Sequence, residues 1–251
     1  MIGRRNKSTP EHLPDSKEGR PTASARALAE VIERSSRVQG PAAKAYVARL
    51  RRAHPGAGPA EIAGKLEKRY LAALTASGAA VGSAATFPGV GTLTALSAGA
   101  GETVLFLEAT ALYVLATAEV YGIPADHRER RRALVLAVLV GDDSKQAIGE
   151  LLGPGRINGA ALAEGMAALP LPALGKLNTR LLKFAVKRYS MRKGALMFGK
   201  MLPVGIGAAV GGVGNRMVGK KIVSNARQAF GTAPSRWPVT LLLLPPAEST
   251  G

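Results

Sequence analysis

The sequence contains no cysteine and only three histidines, His12, His54 and His127. Without cysteine there is no disulfide framework, no thiolate nucleophile and no cysteine-ligated zinc site. The three histidines are far apart in the chain, and His127 lies among charged residues that favour a solvated helix turn over a metal ligand. We therefore expect no metal site and no cofactor.

Acidic residues are missing from the last third of the chain. From Met166 to Ala247 there is none, against 13 Lys and Arg, and the whole chain carries 34 basic and 17 acidic residues, a net charge of +17. This basic block is interleaved with Leu, Val, Phe and Met, which a disordered charged tail would lack. The block therefore predicts a folded region whose partner is negatively charged, such as an anionic membrane surface or nucleic-acid phosphate.

Large side chains are also scarce, since aromatic residues make up 4% of the chain while 44 residues are Ala and 30 are Gly. A protein interior must be densely packed. A chain of Ala, Gly and Leu reaches that density by bringing helix backbones close together, a habit commonest in membranes. Prolines precede the Ala- and Leu-rich runs, as they do at first helical turns, and no segment alternates with period two over a useful length. The predicted fold class is an all-α bundle.

The predicted helices define four segments. Helices are expected near residues 24–38, 42–53, 59–87, 92–121, 124–140, 144–152, 158–169, 172–200 and 203–230. Residues 1–22 are predicted to be a disordered tail, 23–58 a helical extension, 59–231 the main helical domain and 232–251 a Pro-rich disordered tail. No apolar stretch follows Arg4 and Arg5, so we expect no secretory signal and a protein that is not secreted.

Two Gly-rich stretches predict closely packed helices. Tyr70–Gly101 has 32 residues without a charge, which is long enough to span a bilayer, but Pro88 interrupts it. Small residues spaced by four recur here and in residues 203–216, and such pairs permit close backbone contact. A tightly packed soluble hairpin and a membrane-inserted one both fit this pattern. The residues assigned to close helix packing are Gly78, Gly82, Gly207, Gly211, Gly212 and Asn215.

The segment Thr103–Tyr121 is apolar but contains two acidic residues. Its eight Val, Leu and Phe residues favour insertion by roughly 2.4 to 4.8 kcal/mol, and one ionised carboxylate near the centre cancels much of that. It is therefore marginal as a lone membrane span. Glu108 and Glu119 are eleven residues apart, close to three helical turns, and so share a face. They form either a polar seam towards a partner helix or an ordinary solvated stripe.

A basic amphipathic helix is predicted after Pro172. At 100° per residue, four of its basic side chains fall within about 60° of one another and form a cationic stripe. The basic stripe consists of Lys176, Arg180, Lys183 and Lys187. The opposite side carries Leu177, Leu181, Phe184, Ala185 and Tyr189. Lys220 and Lys221 add charge on the last helix. Such a helix can lie on an anionic membrane surface, and we expect these six basic residues to form the membrane- or anion-binding site.

The C-terminal pattern resembles the ending of the bacterial EcsC family. Residues 201–216 read MLPVGIGAAVGGVGNR and residues 225–230 read NARQAF, which matches a Pro, a Gly-rich helix and an Asn before a last amphipathic helix ending in an aromatic. A Gly/Ala-rich stretch and a long apolar helix closing in Tyr121-Gly122 agree in order. The resemblance covers roughly residues 60–230. It implies an α-helical, membrane-associated bacterial protein, and it supplies no catalytic residues.

Motifs typical of enzymes are incomplete in this sequence. Residues 214–221 fit a phosphate-binding loop up to Lys220, but Lys221 stands where Ser or Thr would bind magnesium, and no strand precedes it. No Gly-x-Ser-x-Gly elbow is present. Asp142-Asp143-Ser144 lies between two predicted helices, where such residues usually cap the second. We therefore expect no catalytic residues and no enzymatic activity.

These observations lead to one expected function and two alternatives. We expect a membrane-associated helical protein, peripheral or partly inserted, on the cytoplasmic face of the cell membrane. Its expected partners are anionic lipids, together with a membrane protein or a second copy of the chain. A nucleic-acid-binding protein explains the charge but not the uncharged Gly-rich helices. An enzyme is the third hypothesis.

Overall fold

The computed structural model describes residues 40–84, 91–152, 162–196 and 206–238. This part of the chain is 83% helical and contains no strand. The predicted all-α fold class is therefore confirmed. The physical basis is local, because long Ala- and Leu-rich runs with proline near their starts favour helix and carry no alternating pattern that a sheet would need.

Eight helices occupy the described ranges. They are α1 (residues 40–53), α2 (Pro59–Ala84), α3 (Gly91–Tyr121), α4 (Arg128–Val140), α5 (Asp142–Leu152), α6 (Leu162–Ala167), α7 (Leu171–Leu196) and α8 (Ile206–Phe230). Eight of the nine predicted helices correspond to these elements. The helix predicted near 24–38 lies outside the described residues.

Helix α4 begins four residues later than the predicted position 124. Gly122 ends α3 with φ 69°, a conformation that favours glycine, and Ile123 donates its N–H to the carbonyl of Ala118. The chain then runs through Pro124 to His127, which is extended at φ −83° and ψ 137° and precedes the first helical residue, Arg128. Pro124 therefore belongs to the loop and not to the first helical turn.

Helix α4 lies at the centre of the bundle. Its residues Ala133–Val138 are all buried, as is Val140, and α4 contacts α3, α5, α6, α7 and α8. From Ala133 to Val140 α4 is apolar on all sides, and such a segment needs neighbours on every side, which this arrangement provides. The buried side chains from α1 to α8 form one continuous cluster. The described helices thus share a single hydrophobic core.

Helices α2 and α8, which contain the two Gly-rich stretches, form the most extensive pair. Residue numbers rise along α2 as they fall along α8, because Glu67 meets Arg227 and Thr75 meets Gly212. The two helices are therefore antiparallel. A Cβ built on Gly212 would lie 3.3 Å from the carbonyl oxygen of Thr75, so the glycine permits a backbone approach that a larger residue would obstruct.

A second glycine fixes the corner between α4 and α5. Gly141 has φ 75°, and a Cβ there would lie 2.7 Å from Nδ2 of Asn225. Asn225 is buried and donates from Nδ2 to the carbonyl of Val138 at 2.8 Å, so its amide satisfies one of the last carbonyls of α4. The contact joins α8 to the end of the central helix.

Two of the predicted segments contact the main helical domain. In the described part of the predicted extension, Ala43, Val47 and Leu50 of α1 belong to the same core as the later helices. Residues 232–238, which the sequence assigned to the C-terminal tail, pack against the domain. The Trp237 ring lies under the Arg51 guanidinium at 4.1 Å, and its indole N–H donates to the carbonyl of Ala57.

Candidate membrane interface

Helix α7 is held with one face against the core. Leu174, Leu177 and Leu181 are completely buried, and α7 packs against α4 and α5. Asn178, also buried, donates from Nδ2 to the carbonyl of Glu129 at 3.1 Å and to its Oε2 at 2.7 Å. This polar contact with the start of α4 adds to the apolar packing. Together they fix the rotation of α7 about its own axis.

That rotation places the basic stripe of α7 on the outside. Lys176, Arg180 and Lys183 are exposed, and no ion pair joins Lys176 or Lys183 to a carboxylate in the described part of the chain. The side chain of the fourth predicted member, Lys187, lies outside the described residues. Three of the four stripe residues therefore present their charge to solvent along about two turns of one helix.

Phe184 differs from its predicted position on the buried side. Its neighbour Ala185 is buried, as are Leu177 and Leu181, but Phe184 is 38% exposed. It lies four residues after Arg180 and so sits at the margin of the stripe. The stripe thus has an aromatic ring at its edge, and the apolar face of α7 is narrower than the sequence indicated.

The two lysines of α8 have different surroundings. Lys220 is exposed, whereas Nζ of Lys221 lies 3.7 Å from Oδ2 of Asp142 at the start of α5. Nζ of Lys145 is also close to Asp142, at 3.8 Å from Oδ1. Lys221 therefore balances a charge of the domain itself. Of this pair, Lys220 is the one that the structure leaves facing outward without a carboxylate partner among the described residues.

All six residues assigned to close packing lie in α2 or α8. Gly78 and Gly212 are buried, and Asn215 is half-buried. Gly82, Gly207 and Gly211 lie in these two helices, but their surroundings are outside the described part of the structure. Gly219, which the sequence reasoning missed, also faces α2, since a Cβ there would lie 2.8 Å from a methyl group of Leu74.

The two acidic residues of α3 have different environments. Glu108 is exposed. Glu119 is half-buried and acts on α1, where the pKa of Lys44 is raised mainly by its 3.0 Å hydrogen bond to Asp126 and additionally by the charge of Glu119. Although Glu108 and Glu119 lie on the same face of α3, their carboxylates therefore have different surroundings.

The segment Thr103–Tyr121 of α3 is the candidate membrane span in the described part of the chain. Its mean hydropathy is 1.5, and 56% of this apolar stretch is buried inside the fold. Leu107, Val114 and Val120 all belong to the hydrophobic core. A core helix of a soluble protein meets the same criteria of length and composition, so this helix is weak evidence for a membrane span.

A polar cluster between α2, α3 and α8 was not anticipated from the sequence. Arg227 forms two hydrogen bonds with the Glu67 carboxylate, at 2.8 and 2.5 Å, beside a small surface cleft that Tyr113, Thr117 and Tyr121 also line. Burial raises the pKa of Tyr113, so its hydroxyl stays protonated. Glu67 and Arg227 are 160 residues apart, and no local pattern marks such a pair.

This cleft contains no arrangement typical of catalysis. Its carboxylate, Glu67, is already paired with Arg227, and the cleft lining contains no histidine or lysine beside Tyr113 and Thr117. Within the described ranges, no three His, Asp or Glu side chains are grouped as metal ligands would be. The outward-facing basic stripe of α7 is therefore the feature of this structure with the clearest chemistry for a partner.

Comparison with protein-family models, curated proteins and solved structures finds no match to this chain. The resemblance of residues 201–216 and 225–230 to the EcsC family therefore stays a prediction.

Proposed function

We propose that this protein associates with the anionic cytoplasmic surface of the cell membrane through the basic stripe of α7. The proposal assigns it no catalytic activity. Anionic lipids are the primary partner, and a membrane protein or a second copy of the chain is a further one. The EcsC resemblance agrees with this role, because it implies a membrane-associated helical protein.

One observation carries the proposal: Lys176, Arg180 and Lys183 face outward from a helix whose other face is fixed in the core. Each Lys or Arg close to anionic headgroups contributes about 1 kcal/mol, and the contribution decays within a Debye length of about 8 Å at physiological salt. Because α7 is held rigidly, the three cations approach a flat surface together. The acid-free stretch from Met166 to Ala247 keeps opposing charge away along the sequence.

The test is sedimentation with vesicles of phosphatidylcholine alone or mixed with phosphatidylglycerol. We expect binding to the anionic vesicles only, and weaker binding as salt rises. Changing Lys176, Arg180, Lys183 and Lys187 to Gln should weaken binding by up to about 4 kcal/mol at low salt. Equal binding to both vesicle types would contradict the proposal.

A matched control removes the same number of charges elsewhere. Arg49 and Arg52 of α1 and Lys68 and Arg69 of α2 are exposed and lie outside α7. Changing these four to Gln lowers the net charge equally, so it should weaken binding much less than the α7 change does. Equal loss in both variants would show that net charge and not the stripe governs binding.

Nucleic acid remains the second candidate, because the stripe could also follow phosphates. Duplex DNA added as competitor separates the two, since phosphate tracking gives a steep linear dependence of log affinity on log salt concentration. Tighter binding to DNA than to anionic vesicles at physiological salt would favour the nucleic-acid function.

A further inference from the structure

A second surface lies on the outer face of α8. Val213 is 59% exposed and Met217 is 67% exposed, and the spacing of four residues places them on one face of the helix. Gly214 beside them has no atom within 4 Å of the position that a Cβ would take. Val213 and Met217 therefore form an apolar strip that faces solvent, while Gly212 and Gly219 lie on the other side of α8 and face α2.

Basic side chains border this apolar face. At 100° per residue, Arg216 and Lys220 lie on one side of Met217 and Lys221 lies on the other. Arg216 and Lys220 are exposed. Their aliphatic stems can lie along the apolar residues while the charges reach outward. Helices that lie in a membrane interface have this pattern, in which apolar residues occupy the middle of the face and Lys and Arg lie along its edges.

We propose that Val213 and Met217 insert below the headgroups of an anionic bilayer while Arg216 and Lys220 bind those headgroups. This inference rests on the proposed membrane association and adds an apolar anchor to it. The charges favour lipid over a second copy of this chain, because Ile206–Phe230 contains no Asp or Glu and two such faces would bring like charges together.

The absence of cysteine makes a direct test possible. Met217→Cys carrying an environment-sensitive dye should shift its emission to the blue on vesicles containing phosphatidylglycerol, and lipids brominated in the acyl chain should quench it. A dye at Ala48→Cys, an exposed position on α1, is the control and should change little. Unchanged emission from Met217→Cys while the protein sediments with the vesicles would overturn the inference.

A second variant measures the contribution to binding. Val213→Ser combined with Met217→Ser should weaken binding to anionic vesicles roughly tenfold, since two partly exposed apolar side chains lose their transfer into the interface. The loss should persist in high salt, where the contribution of the α7 stripe is screened. Both sites face solvent, so the helical content by circular dichroism should stay that of the wild type.

The outcomes separate this inference from the proposed function. A wild type that binds no vesicles overturns both. Binding that depends on the α7 stripe, with no effect of the two serines and no shift of the Met217 dye, overturns the apolar anchor alone. A dye shift that needs high protein concentration and no vesicles shows contact between two copies of the chain, and it too overturns the anchor. The apolar anchor is supported if the serine variant binds more weakly at high salt as well as at low salt, and if the Met217 dye shifts only when vesicles are present.

Discussion

At the scale of single residues, the hydroxyl groups of Tyr70 and Thr110 form a hydrogen bond in the core, and the number of available protons shows which of the two is the donor. Thr110 donates its hydroxyl proton to the carbonyl of Phe106 at 2.7 Å, and the Tyr70 hydroxyl lies 2.8 Å from the same threonine oxygen. Threonine has one hydroxyl proton, so Tyr70 must donate to Thr110. The Tyr70 ring also stacks on Tyr113, with centroids 4.6 Å apart, which fixes the position of the hydroxyl.

This direction predicts an asymmetry between two substitutions. Tyr70→Phe removes the donor but leaves Thr110 bonded to Phe106, so it should lower the free energy of unfolding by about 1 kcal/mol. Thr110→Val leaves a buried tyrosine hydroxyl without its acceptor and should cost about 1 to 3 kcal/mol. Urea unfolding followed by circular dichroism measures both. A larger loss for Tyr70→Phe than for Thr110→Val would contradict the assignment of the proton.

At the scale of secondary-structure elements, the α2–α8 pair depends on where small residues fall on one helix. Gly212 and Gly214 are two residues apart and thus lie on opposite sides of α8. Gly212 faces the backbone of α2 at Thr75, whereas Gly214 faces open space. Glycine within a helix costs about 1 kcal/mol relative to alanine. At Gly212 the close packing of α8 on α2 offsets this cost.

The same substitution at these two glycines should therefore have opposite effects. Gly212→Leu forces a branched side chain against the Thr75 carbonyl and should destabilise the protein by about 1 to 3 kcal/mol or more. At Gly214 a Cβ would meet no atom within 4 Å, so Gly214→Leu should leave stability unchanged or, through the gain in helix propensity, raised by up to about 1 kcal/mol. Thermal unfolding of both variants tests this. Similar melting temperatures for the two would show that α8 does not pack on α2 through Gly212.

At the scale of the whole molecule, charge and apolar surface are separated. In Thr103–Tyr121 of α3, 56% of the apolar stretch is buried in the fold, whereas Lys176, Arg180 and Lys183 of α7 and Arg216 and Lys220 of α8 face outward. Inserting Thr103–Tyr121 into a bilayer would withdraw Leu107, Val114 and Val120 from the core and leave the apolar side chains packed against them exposed to water, which costs about 1.5 to 3 kcal/mol for each fully uncovered side chain. This cost opposes a transmembrane position for α3, as expected if the proposed membrane association is at the surface.

Cell fractionation tests this balance. We expect the protein in the membrane fraction, with partial release by high salt because the apolar contact of Val213 and Met217 is not screened. Alkaline carbonate should release the remainder, since a surface-bound protein has no segment across the bilayer. An integral membrane protein of the same cells serves as the control that stays in the pellet. Retention after both washes would indicate that α3 spans the membrane.

The sequence by itself determined the helical class and the positions of eight helices within a few residues. These properties depend on local rules: proline near helix starts, and the 100° turn that brings residues four apart onto one face. Only the tertiary structure decided which apolar surfaces are covered. Composition cannot distinguish the buried side of α3 from the open face at Val213 and Met217, because covering a face requires a partner that is remote in sequence. The ion pairs Lys221–Asp142 and Arg227–Glu67 also join residues that are remote in sequence. They form only because of the way α8 packs against α2 and α4.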